Sequence, residues 1–319
     1  MLSTLAYCFN AVAPVFVVIG LGRLLAAFSR LGDEFFAKLN RIVYNWLIPA
    51  VLFQGVYTAD LYTDFDGGLI LLICVSITVM FLLSVLAGKA FFRDPAVGGS
   101  FSQGCYKSNY MLLALPILGN LLGDGHMGKA MMAAPFLAAL YNLLAVVGFY
   151  LFGFEKGKRS GLGRVWQIVW GVLKNPTIVA VLLALPFALF RFRMPVVLER
   201  SVMYVSDMGT PVALVGIGAV LSLEKLRRTF RAAFWSAFFK VFVSTAVMVV
   251  LSALLGFRGD ALAIITVAYA APTAANSYAT AQAMGGDGDT AANSTLLTTL
   301  FSLVAIVLFM TALIRMGLV

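Results

Sequence analysis

Apolar runs of roughly 20 residues, the length that crosses the hydrocarbon core of a bilayer, recur along the whole chain with short polar breaks between them. The pattern predicts ten membrane-spanning helices at 5–28, 34–56, 68–91, 98–122, 128–153, 165–190, 199–221, 231–255, 260–284 and 289–316, with no soluble domain between them. The first span, Leu5 to Phe28, lacks a basic leader and a small-residue cleavage site and carries Pro14, Gly20 and Gly22. It therefore reads as a retained helix and not as a signal peptide.

The two halves resemble each other. Pro14 and Pro176, and Pro49 and Pro211, are each 162 residues apart, and Pro116 and Pro272 are 156 apart. Five of ten positions agree between Leu140–Phe149 and Leu300–Phe309, which predicts that the fifth and tenth spans correspond. Because each unit has five crossings, the second must enter the membrane inverted. The expected organisation is a first five-helix repeat at 1–153, a cytoplasmic linker at 154–164 and a second, inverted repeat at 165–319. Inverted repeats can exchange conformations and expose one site to each side in turn, as secondary transporters do. Duplication without a transport role is the alternative.

The fourth and ninth spans are the polar ones. Proline lacks an N–H and clashes with the preceding turn, so Pro116 and Pro272 should strip the Leu112 and Ala268 carbonyls of their helical donors. Such helices are tolerable only where protein or a water-filled cavity covers the loosened backbone. Ser102, Tyr106, Asn109 and Pro116 fall on one helical stripe, and Thr273, Asn276, Ser277 and Thr280 on another. If the breaks face one another, the half-helices after the prolines aim their positive N-terminal ends at the centre, where a carboxylate is favoured. A kinked helix whose Asn, Ser and Thr side chains merely bond neighbouring backbones is the other possibility.

Composition agrees with a membrane protein: 61% of the 319 residues are hydrophobic and only 12% charged, too few for a polar surface all round. The net charge of +9 raises nucleic acid as a partner, but fourteen of the 23 Lys and Arg residues fall in one alternate set of connections and six in the other, with the C-terminus. That asymmetry orients the chain by the positive-inside rule and places both termini outside the cytoplasm, with lipid and not nucleic acid as the partner. Cys8, Cys74 and Cys105 lie within spans and form neither a disulfide framework nor a metal motif, so no cofactor is expected.

Several segments are similar to the auxin efflux carrier family, which includes plant auxin exporters and bacterial malonate and malate permeases. They are Pro14–Leu25, Leu39–Phe53, Lys174-Asn-Pro176, Pro211–Leu221, Pro272-x-x-x-Asn276 and Ala292–Ser302. The family also places an Asn seven residues before the proline of its fourth helix, matched by Asn109 and Pro116, although its usual glycines between them are Met111 and Ala114 here. The resemblance covers nearly the whole chain. It implies an all-α membrane protein of the bacterial inner membrane, whose fourth and ninth helices cross at their prolines. It further implies an elevator in which spans 3–5 and 8–10 move against a dimeric scaffold of spans 1, 2, 6 and 7. Asn109 and Asn276 would hold a substrate carboxylate, with Pro116, Tyr141, Asn142, Pro272 and Ser277 around the same pocket.

Lys107, Asp207 and Lys240 are ionisable residues inside predicted spans and so functional candidates. Lys107 lies some 200° around a regular helix from Asn109, so it either snorkels towards the cytoplasm or, if the helix unwinds locally, meets an anion's second carboxylate. Lys240, among Phe238, Phe239 and Phe242, is expected to snorkel. Asp207 reads as a scaffold-packing residue or a proton-coupling site. The leading function is secondary transport of a small mono- or dicarboxylate such as malate, malonate or an auxin-like acid, without ATP because no phosphate-binding loop occurs. An anion channel or membrane sensor is the alternative; an enzyme is not expected, since His126 is in a predicted outer loop and Asp207 lacks an acidic partner in the membrane.

Overall fold

The computed structural model describes residues 2–28, 31–58, 64–153, 176–220, 229–274 and 276–319. The linker 154–164, the first part of the sixth span and Lys174 lie outside the described residues. Within them the chain is all helical, with no strand. Six stretches are long and apolar enough to cross a membrane: Ser3–Phe28, Gly67–Phe91, Gly128–Leu151, Val196–Ala219, Phe230–Leu254 and Gly288–Arg315. Their outward faces carry large apolar side chains, among them Val17, Leu71, Leu86 and Leu254, which is the exterior of a protein solvated by lipid.

The elements are α1 (Leu2–Phe28), α2 (Gly32–Ile42), α3 (Ile48–Thr58), α4 (Gly67–Phe91), α5 (Pro95–Tyr106), α6 (Leu115–Leu122), α7 (Gly128–Leu151), α8 (Pro176–Phe190), α9 (Val196–Val220), α10 (Phe230–Phe238), α11 (Thr245–Leu254), α12 (Gly259–Ala270), α13 (Ser277–Met284) and α14 (Gly288–Arg315). Three joins between them are π-helical: Val43–Leu47 between α2 and α3, Tyr110–Ala114 before α6, and Phe239–Ser244 between α10 and α11. Each π turn inserts an extra residue and rotates the side chains that follow, so the 100° periodicity of a regular helix does not carry through it.

Two groups of helices pack mainly within themselves. α1, α3, α8 and α9 form one, and α4, α5, α6, α7, α10, α11, α12, α13 and α14 the other; α1 meets the second group through α6 and α14, α3 and α8 meet it through α7, and α9 through the turn Tyr110–Ala114. In the first group α1 and α9 touch backbone to backbone. A Cβ on Gly22 would stand 2.2 Å from the Val215 carbonyl oxygen, and one on Gly218 would stand 1.8 Å from that of Ile19. Only glycine permits that approach, as at close helix crossings in membranes generally.

A cationic cavity at two broken helices

The fourth span breaks between α5 and the π turn, at Lys107, Ser108 and Asn109, and not at its proline. Pro116 sits at the start of α6, directly after the π turn Tyr110–Ala114 and inside one continuous helical run, so its missing N–H falls on the π turn's carbonyls and not on the break. The ninth span breaks between α12 and α13, around Pro272.

What holds the breaks open is a reciprocal exchange of hydrogen bonds. The Ala268 carbonyl, loosened by Pro272, accepts from the Ser108 hydroxyl at 2.7 Å. In return the Gly104 carbonyl, at the frayed end of α5, accepts from the Thr273 hydroxyl at 2.9 Å. The Asn109 N–H donates to the Pro272 carbonyl at 2.7 Å, and the Thr273 N–H to the Thr298 hydroxyl at 3.0 Å. Every one of these groups is buried, so leaving any unpaired would cost about 1–3 kcal/mol. The exchange relates Gly104 to Ala268 and Ser108 to Thr273, separations of 164 and 165 residues, which shifts the register of the fourth and ninth spans from that of Pro116 and Pro272.

Beside the crossing lies a cavity of ≈ 920 Å³. Of the expected site residues, Lys107, Asn109, Tyr141, Asn142 and Asn276 line it, and Pro116, Pro272 and Ser277 do not. Ser277 is buried within the protein, and Pro116 faces a separate cavity of ≈ 690 Å³ lined by residues such as Pro14, Gln54 and Thr210; Met111 borders both cavities. The two polar stripes are dispersed because the helices that would align them are interrupted. Ser102 bonds Ser84 at 2.7 Å, Tyr106 packs edge-on against Phe81, and Thr280 bonds the Asn276 carbonyl at 2.9 Å.

Lys107 and Lys240 are buried, each 2% exposed, so neither snorkels. Lys107 follows the last residue of α5 in the unwound stretch, on the wall that also carries Asn109. Among the described residues no carboxylate lies within ion-pairing distance of it. Arg23 and Arg41 line the same cavity from exposed positions, and no Asp or Glu among the described residues does. Asn276 donates to the Tyr44 hydroxyl at 3.4 Å, while its Oδ1 is buried with no hydrogen-bond partner among the described residues. Tyr44 also interacts with Asn142, and Tyr141 with Ser108. Asp207 is exposed on α9 and lines neither cavity.

Tyr44, Ser108, Arg23 and Arg41 were not singled out as site residues by sequence. For Tyr44 no local signal exists, because the Val43–Leu47 π turn decides which way it faces. The two arginines read only as orienting charges.

Comparison with known proteins fits this arrangement. Residues 7–310 match the family described as "Membrane transport protein". The chain belongs to that family. It is the family of the auxin efflux carriers, and its members are membrane transporters and not enzymes. The chain is 24% identical over 302 residues to an "Uncharacterized transporter" of Methanothermobacter thermautotrophicus, covering 94% of this chain and 96% of that protein. Another of that description, from Methanocaldococcus jannaschii, is 24% identical over 312 residues, with 94% and 97% covered. A protein of Rhizobium meliloti named "Putative malonate transporter" is 27% identical over 324 residues, with 96% and 95% covered.

Proposed function

We propose that the chain is a secondary carrier for a small organic anion, a mono- or dicarboxylate with malonate as the first candidate. The observation that carries this reading is the cavity at the crossing, with a buried lysine, two exposed arginines and no acidic side chain among its described lining residues. Helix ends alone do not give it a sign. The positive start of α13 at Asn276 lies close to the negative ends of α5 and α12, and such half-charges offset one another. Lys107 can carry a positive charge once an anion arrives as its counter-ion, and Asn109, Asn142 and Asn276 add amide donors that suit carboxylate oxygens. The relative named for malonate supports the choice of a short diacid.

In this reading ten spans form two inverted five-helix repeats. Spans 3–5 and 8–10 carry the cavity and move against spans 1, 2, 6 and 7, which pair with a second copy in the bacterial inner membrane, both termini outside the cytoplasm. Support comes from the two packing groups and from the backbone contact that makes α1 and α9 one unit. The test is counterflow in proteoliposomes, in which internal acid drives uptake of labelled acid, over a panel of malonate, malate and indole acetate. Saturable counterflow that weakens in Asn109→Ala and Asn276→Ala is expected. Flux without counterflow would indicate a channel, and no flux of any acid would end the proposal.

A further inference from the structure

Among the described residues Lys107 and Lys240 are the buried cations, and the anion cavity uses only Lys107. Lys240 lies in the π-helical Phe239–Ser244, near the middle of the apolar stretch Phe230–Leu254. An ammonium has three N–H donors. Its one acceptor among the described residues is the Tyr269 carbonyl at 3.5 Å, the outer limit of a hydrogen bond.

The surroundings supply no counter-charge. The segment packs against α5, α10, α11, α12 and α14. From α5 it faces the Cys105 thiol, beside which stands Ser236 of α10, and Ser244 on its own segment bonds the Lys240 carbonyl. α12 presents the Tyr269 carbonyl, its Asp260 lying at the far end; α11 has no charged residue, and the charged residues of α10 and α14, Arg231, Asp289 and Arg315, stand at or near their ends. An amine in this place needs no partner beyond Tyr269, whereas an ammonium lacks two acceptors and a counter-ion.

Tyr269 links this amine to the cargo site. Its hydroxyl is held by Ser76 of α4 at 2.5 Å and its carbonyl by Lys240. Three residues on, the Pro272 carbonyl holds the Asn109 N–H, and Asn276 follows in the cavity wall. The Lys240 nitrogen and the Asn109 N–H are thus held by carbonyls three residues apart on one stretch of backbone, at Tyr269 and Pro272.

We propose that Lys240 is the proton-coupling site of the transport cycle: its amine takes up one proton on one side of the membrane and releases it on the other, together with the anion in the crossing cavity. The step forms and breaks one N–H bond and requires no oxidant or further reactant. Lys240, like Asp207, lines neither cavity; what sets it apart is its burial and its bond to Tyr269 beside the crossing, whereas Asp207 is exposed on α9. This inference rests on the carrier reading above.

The experiment measures the steady-state accumulation ratio of labelled malonate in proteoliposomes under an imposed pH gradient, acid outside, at zero membrane potential, with pyranine inside to report protons. Counterflow at equal pH is run alongside. One proton per anion gives about tenfold accumulation per pH unit, since one pKa unit and one decade of concentration are the same free energy. That ratio does not depend on how fast a variant turns over. Wild type is expected to reach it, Lys240→Met and Lys240→Gln to fall to a ratio near one, and Lys107→Met to keep it while binding malonate more weakly. Lys240→Gln does not titrate yet can still donate to the Tyr269 carbonyl, so a folding defect in Lys240→Met does not leave the residue undecided. Counterflow without pH-driven accumulation in wild type, or a ratio retained in either Lys240 variant, overturns the proposal and leaves the carrier reading standing. Absence of counterflow with every acid of the panel overturns both.

Discussion

Replacing Lys107 with Met removes a charge and three donors while keeping the length and apolar stem of the side chain. The magnitude follows from its position. Lys107 is 2% exposed on the wall of the crossing cavity, with no carboxylate partner among the described residues, so an anion arriving there would be its counter-ion. A hydrogen bond to a charged group contributes about 1.5–3 kcal/mol. At 1.4 kcal/mol per decade that is roughly a 10- to 150-fold loss of affinity. Arg23 and Arg41 line the cavity from exposed positions, where pairs contribute at most about 1 kcal/mol, so Arg23→Gln should weaken binding by about fivefold or less. The assay is competition of unlabelled malonate against labelled malonate in counterflow, which reports relative affinity at matched protein density. The reasoning is refuted if Lys107→Met shifts the competition curve by less than about threefold, or by no more than Arg23→Gln does, since burial would then not be what makes this cation matter.

Other outcomes follow from the same geometry. Ser108→Ala strips the Ala268 carbonyl of its donor and should destabilise the protein by about 1–3 kcal/mol, seen as a lower unfolding temperature in detergent, with Ser108→Thr recovering part of it. Gly218→Val should abolish folding, because its Cβ would overlap the Ile19 carbonyl, whereas Gly20→Ala, with nothing within 4 Å, should leave the elution profile on size exclusion unchanged. Asp207→Asn is expected to leave the pH-driven accumulation ratio as in wild type; its loss would return the coupling role to that residue.

Six of the spans were legible because an apolar run long enough to cross lipid is written locally, one residue after another. Asn109 and Asn276 were legible too, and the structure brings both to one cavity. The place of the fourth span's break was not. Proline advertises a disrupted helix, but the unwound residues 107–109 are held by partners about 160 positions away, and no window on the sequence contains both. The depth of Lys240 was hidden for the same reason, its one acceptor among the described residues belonging to a helix that ends early at a distant proline. Tyr44 was missed because a π turn reset the face on which it falls.

The exchange at the crossing also sets a schedule for making the protein. When α5 leaves the ribosome, the hydroxyl that will close the Gly104 carbonyl is 169 residues downstream, and the acceptor of Ser108 is 160 downstream. At about 5–20 residues per second those partners arrive some 8–34 s later. Until then the first half of the chain stands in the bilayer with an unclosed break at its centre, which water, lipid headgroups or the insertion machinery must cover. Completion of the second half is thus the moment at which the first half acquires its final shape.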